Sequence, residues 1–213
     1  MIPTLLTAIA TFVATSIDYL VILLIFFSQE RGKGAVRGVA LGQYLGTAAL
    51  IGFSLLAAFG LLSFVPEEWM IGLLGLIPLG LGVKVLFTKE EEGEGEDEEE
   101  EQTEKVMESS HRYGSLALSM TLLTIASGGD NIGVYIPLFS AQSASQISLT
   151  LLVYALLIAG LLYVSYRFAN LKYIGETIEK YERIVVPTVF IGLGILIMSE
   201  NGVFSFLASL VSG

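Results

Sequence analysis

Six apolar runs dominate the chain, at about 4–28, 37–64, 69–88, 115–139, 147–169 and 184–199. About 20 helical residues cross a bilayer core of about 30 Å, so runs of this length read as membrane helices. A soluble domain of 213 residues rarely approaches a hydrophobic share of 54% and a mean hydropathy of +0.73. Backbone in lipid must pair its own N–H and C=O groups, and helices do so one segment at a time. The expected fold is therefore an all-α membrane protein without sheet. A seventh apolar piece, 203–211, is too short to span. It is expected either as a re-entrant or interfacial tail or as an extension of the sixth helix.

Charge is concentrated in one place. Residues 89–112 hold twelve acids against Lys89, Lys105 and Arg112, and the rest of the chain is nearly balanced. The net charge of −10 thus belongs to one Glu-rich, low-complexity loop, expected as a mobile cytoplasmic tether, and nucleic-acid binding has no support. The absence of cysteine removes disulfides and thiolate metal sites from consideration. All eleven Lys and Arg fall in or beside alternate connections: between runs one and two, three and four, and five and six. The positive-inside rule then places those three loops in the cytoplasm and both termini outside a cell membrane. The first residues, Met1-Ile-Pro-Thr, have no basic n-region and are expected to begin a retained helix.

The chain also repeats itself. Ala14-Thr-Ser-Ile-Asp18 and Ala126-Ser-Gly-Gly-Asp130 align at an offset of 112 residues, with Phe27 and Phe139 in step. The same offset superimposes Thr7 on Ser119, Leu20 on Ile132, and Gly80-Leu-Gly82 on Gly192-Leu-Gly194. Three spans per copy is an odd number, so the copies must insert with opposite orientation. The reading is two inverted three-helix repeats: 1–88, then the acidic loop 89–112, then 113–213 with its short tail. Secondary transporters commonly use this architecture, with the substrate held near the midplane between repeats.

Asp18 and Asp130 are the carboxylates placed deep in spans. Each lies roughly 21–22 Å from the start of its helix, counted from opposite faces of the membrane, so the two can approach. An acid at a span centre costs about 2.5–3.5 kcal/mol, which argues for a use, although a protonated carboxyl can simply join helices. Around the pair stand oxygen donors: Thr15, Ser16, Ser127 and Asn131. Thr11, Gln43, Gly128 and Gly129 are weaker candidates for lining the path. Thr4, Thr7, Thr11, Thr15 and Asp18 share one helix face, either a polar track or a packing face of small residues. Gly38, Gly42 and Gly46 read first as a packing face. Gly128-Gly129 and Pro137 are expected to break the fourth helix around 127–133 and free carbonyl oxygens. Asp18 is expected to come from a more regular helix. Two carboxylates suit a divalent cation, with protons as natural competitors and hence a simple antiport logic. An oxygen-only set by itself favours hard ions such as Mg2+, Ca2+ or Mn2+.

The stretch Thr124-Ile-Ala-Ser-Gly-Gly-Asp-Asn-Ile-Gly-Val-Tyr-Ile-Pro-Leu-Phe139 resembles the signature of the cadmium resistance transporters of the CadD type. Ala14-Thr-Ser-Ile-Asp18 with Phe26-Phe27, Gly42-Gln-Tyr-Leu-Gly46, Leu76–Leu86, Gly175–Arg183 and Leu193–Leu196 resemble the same family, in the same order. The family sits among small six-helix exporters of the lysine-exporter superfamily. The resemblance implies efflux of Cd2+, with Zn2+ as a second cargo, and carries Asp18, Asp130 and Asn131 over as functional positions. Some relatives have a second acid where this chain has Tyr19. The transported ion is substrate, and no other cofactor is expected. The partners are the lipid bilayer and the cation, with a homo-oligomer left open. Alternatives within transport are a harder divalent cation (Mn2+ or Ca2+) or an amino acid or organic cation. An enzyme is not expected. Intramembrane aspartyl proteases resemble the chain only in having two buried aspartates, and their motifs and helix number differ. A membrane scaffold that transports nothing is the remaining rival.

Overall fold

The structure, a computed structural model, describes residues 1–29, 32–64, 67–87, 115–169 and 174–212. The acidic segment 89–112 lies outside them, as do Arg31 and Lys172 among the bases used for orientation. The described residues form ten helices and no strand. They are α1 (Ile2–Thr15), α2 (Ile17–Gln29), α3 (Lys33–Phe64), α4 (Glu68–Leu73), α5 (Leu76–Phe87), α6 (Leu116–Ser127), α7 (Asn131–Ser140), α8 (Ala144–Phe168), α9 (Ile174–Glu200) and α10 (Val203–Ser212).

Three helical stretches are long and apolar enough to cross a membrane: Lys33–Ser63, Trp69–Phe87 (α4 with α5) and Ala144–Phe168. Counting each bent pair as one span adds Ile2–Thr15 with Ile17–Ser28 and Ile184–Glu200 with Val203–Ser209, which makes five. The shorter apolar helices Leu116–Ser127 and Asn131–Ser140 account for the remaining run.

The first run is not the regular helix expected. It bends by 54° at Ser16, whose φ of −122° and ψ of 6° leave the helical well. Just before the bend the Thr15 hydroxyl donates back to the carbonyls of Thr11 at 2.9 Å and Phe12 at 3.3 Å, a local bond that favours bending. The fourth run breaks at its glycine pair. Gly128 closes α6 with its N–H on the Thr124 carbonyl at 3.0 Å, and Asp130 caps α7 by accepting from the Asn131 N–H at 2.9 Å. The 203–211 piece is a separate helix, not an extension. Gly202 (φ +74°) takes the left-handed conformation that L side chains avoid, and the chain turns by 58°. α10 then packs on α4, where the Trp69 and Phe206 rings stack at 4.1 Å.

Two glycine seams hold the bundle together. On α3, a methyl at Gly42 would stand 2.4 Å from Met120 Cβ, and one at Gly46 would stand 2.4 Å from Thr124 Cβ. The four-residue glycine repeat is therefore a packing face that brings α3 and α6 backbones close. The second seam joins α5 and α9. Gly82 abuts Ile191 and Gly194 abuts Leu79, while Gly75 and Gly194 each approach the other's carbonyl oxygen. Apolar side chains fill the remainder, with Phe12, Val134, Tyr135, Tyr154, Phe190 and Ile197 in the larger buried cluster.

Candidate functional site

A chain of buried polar groups crosses the bundle at the two helix breaks. Gln43 of α3 accepts from the Thr124 hydroxyl of α6 at 3.1 Å. The Tyr19 hydroxyl of α2 donates to the Thr124 carbonyl at 3.0 Å. The Asn131 amide of α7 donates both to the Tyr19 oxygen at 3.3 Å and to the Thr15 carbonyl of α1 at 3.1 Å. Thr15 and Tyr135 then pair their hydroxyls at 3.1 Å. None of these six residues exposes more than 4% of its surface. Buried amides and hydroxyls are expensive to leave unpaired, so a network this complete fixes the relative placement of five helices.

Asp18 and Asp130 flank the centre of this chain. Each immediately precedes one member of the Tyr19–Asn131 bond, and the two bonded residues are themselves 112 apart. Each aspartate also begins a half-helix: Asp18 is in the first turn of α2 and Asp130 is the N-cap of α7. A helix N-terminus carries about half a positive charge, worth about 0.3–1 kcal/mol to an adjacent carboxylate and up to about 2 in sheltered geometry. The breaks therefore offset part of what placing a carboxylate in the membrane costs. Asp18 is half-buried, whereas Asp130 is exposed although Asn131 beside it is buried.

The other expected donors divide. Thr15 and Ser16 are buried beside the first break, and Ser127 is half-buried at the second. Gly128 is buried and Gly129 exposed. Thr11 is inside, and among the described residues its hydroxyl has no partner. Thr4 and Thr11 are buried with Thr15, so the threonine face points inward. Beside the breaks, the carbonyls of Thr15 and Thr124 accept from Asn131 and Tyr19. Among the described residues, no three His, Cys, Asp or Glu side chains cluster. A cation held between the aspartates would thus complete its shell with hydroxyl, amide, carbonyl or water oxygen, the donors hard ions prefer.

Tyr19, Thr124 and Tyr135 escaped the reading of the sequence as members of this network. The offset that paired Asp18 with Asp130 pairs Tyr19 with Asn131 as well, and that signal could have found the tyrosine. Tyr19→Phe should remove two hydrogen bonds at about 0.5–1.5 kcal/mol each and lower the melting temperature in detergent, while leaving both carboxylates in place. An unchanged melting temperature would contradict the network's structural weight.

A family model of cadmium resistance transporters matches residues 12–210. Neither a curated protein nor a solved structure matches the chain. The family match covers nearly the entire sequence, the signature stretch and both aspartates included, and the chain is a membrane protein of the cadmium resistance transporter family.

Proposed function

We propose that this protein exports divalent metal cations, Cd2+ first and Zn2+ as a second cargo, through a midplane site built on Asp18 and Asp130. The observation that carries the reading is the Tyr19–Asn131 hydrogen bond. It joins positions equivalent under the 112-residue offset, at breaks in two apolar helices, directly beside the two aspartates. Residues that meet their own equivalents lie on a pseudo-two-fold axis, and transporters built from inverted repeats bind substrate at that place. In this reading six spans form two inverted repeats, 1–88 and 113–213, the termini are outside, and the acidic loop is cytoplasmic. Thr15, Ser16, Ser127 and Asn131 supply further oxygen around the ion, and Gln43, Thr11, Gly128 and Gly129 line its route. Protons are the simplest counter-ion, because the same carboxylates take either species.

A second reading is favoured by the donor chemistry: with no thiol in the chain, the site suits Mn2+ or Ca2+ at least as well as Cd2+. Flux into proteoliposomes, comparing Cd2+, Zn2+, Mn2+ and Ca2+ with and without a pH gradient, separates the two. Saturable Cd2+ flux stimulated by an opposing proton gradient is expected. Saturable flux of Mn2+ or Ca2+ without Cd2+ would move the assignment to a hard cation, and no flux of any of the four would end the metal reading.

A further inference from the structure

Contacts within the bundle do not obey the repeat equally. In the first half, α1 packs along α9, and Ala14 and Ile17 are buried with Val186, Phe190, Leu193 and Ile197. The equivalent contact would set α6 against α5 or α4, and among the described residues no comparable contact exists. The difference is visible residue by residue. Ala14 is 5% exposed and Ile17 is 8% exposed, but their counterparts Ala126 and Gly129 are exposed, and Asp130 is more open than Asp18. By contrast Val13 and its counterpart Ile125 are both exposed, at 44% and 37%. α5 reaches α7 just beyond the break, where Leu81 and Ile77 lie against Gly133, and it stops short of α6.

Several sets of contacts map onto themselves when the halves are interchanged, and two of them bear on the motion. One is the Tyr19–Asn131 bond. The other is the α5–α9 seam, in which Gly82 on Ile191 and Gly194 on Leu79 are exchanged by the offset. A self-equivalent contact is compatible with either arrangement of the two halves, whereas the α1–α9 contact is compatible with one only.

We propose that the structure is one of two interchangeable forms, in which the α5–α9 pair rocks from α1 onto α6 and thereby covers Asp130 while uncovering Asp18. The seam moves as a unit and the Tyr19–Asn131 bond marks the point about which it tilts. The form described here opens Asp130 through the gap between α5 and α6. A carboxylate facing lipid at that depth is unfavourable, so the gap holds water and is the route by which the cation reaches the site. With the orientation derived above, that route leads to the cytoplasm. In the second form α5 closes on Ala126 and Gly129 as α9 now closes on Ala14 and Ile17. Ala126 and Ala14 are therefore gate positions, small because each must be covered in turn.

This inference rests on the transport reading, and the test keeps the two apart. Ala126→Phe adds bulk at a position exposed here, so it leaves this form intact and blocks the other. Cd2+ flux into proteoliposomes is expected to fall at least tenfold, with the equilibrium Cd2+ affinity of the detergent-purified protein changed less than threefold. Ile125→Phe, one residue away and exposed in both forms, should keep flux within twofold. In the cysteine-free wild-type background, a single Ala126→Cys should react with a membrane-impermeant maleimide from the cytoplasmic face when metal is absent, and Ala14→Cys should be protected. Absence of Cd2+ flux in the wild type would defeat the transport reading itself. Normal flux in Ala126→Phe beside an active wild type would overturn the rocking, and so would an Ala126→Cys unreactive from both faces.

Discussion

Asp18→Asn and Asp130→Asn should each reduce saturable metal flux by at least about 100-fold while leaving the protein as stable as before, or more so. The two outcomes have opposite signs for one physical reason. A divalent cation in a low-dielectric site is held by opposed charge, and breaking such a pair by neutralising one partner costs about 3–5 kcal/mol. In the cation-free protein the same charge is a burden of at most about 2.5–3.5 kcal/mol at the centre of a span, reduced by the helix N-termini and by water. Asparagine retains the shape and caps a helix as well as aspartate does, so the N-terminus of α7 keeps its cap. Flux in proteoliposomes and melting temperature in detergent measure the two effects on the same preparation. Full flux in both variants would remove the aspartates from the transport site. Loss of flux together with unfolding would make them structural joints.

The second large effect is expected at Gly128. A Cβ there would stand 2.0 Å from the Tyr19 hydroxyl, 2.4 Å from Leu50 Cδ1 and 2.9 Å from the Thr124 carbonyl oxygen. The tyrosine cannot simply swing away, because its ring is 4% exposed and its hydroxyl is bonded on two sides. Gly128→Ala should therefore forfeit both bonds and add overpacking, about 2–5 kcal/mol together, seen as a large fall in melting temperature. At Gly129 a methyl meets only the Ala126 carbonyl at 3.8 Å, so Gly129→Ala should leave stability unchanged. Tyr19→Phe removes the nearest of the three colliding atoms. The double variant Gly128→Ala with Tyr19→Phe should thus be more stable than Gly128→Ala alone, a coupling that neighbours in direct contact show. Additive losses would mean that the glycine is required for some other reason.

These two sites also mark what could be read from the amino acids. Hydropathy located the apolar runs because burial in lipid acts on composition, and the chain has no other way to satisfy so many apolar residues. The α3 seam was legible as Gly38, Gly42 and Gly46, since only glycine lets backbones approach so closely. The break at Gly128–Asp130 was legible for a similar reason. The break at Ser16 was not. No glycine or proline marks it, and the back-bond of Thr15 beside it is one that hydroxyl residues also make in the unbroken helices of this chain. The candidate donors were found as residue types at the right depth. Their partners were hidden, because Tyr19 and Asn131 meet across 112 residues and hydrogen bonding depends on orientation.

The stack of Trp69 on Phe206 has an optical meaning. The chain contains a single tryptophan, so all of its indole emission comes from the junction between α4 and the final helix. No indole stands among the residues of the central network. A change in that emission when a cation is added is consequently a signal received at a distance. In the rocking motion proposed above, the paired glycine faces of α5 and α9 would carry it to the edge of the bundle, which makes the emission a gauge of how rigidly that pair moves.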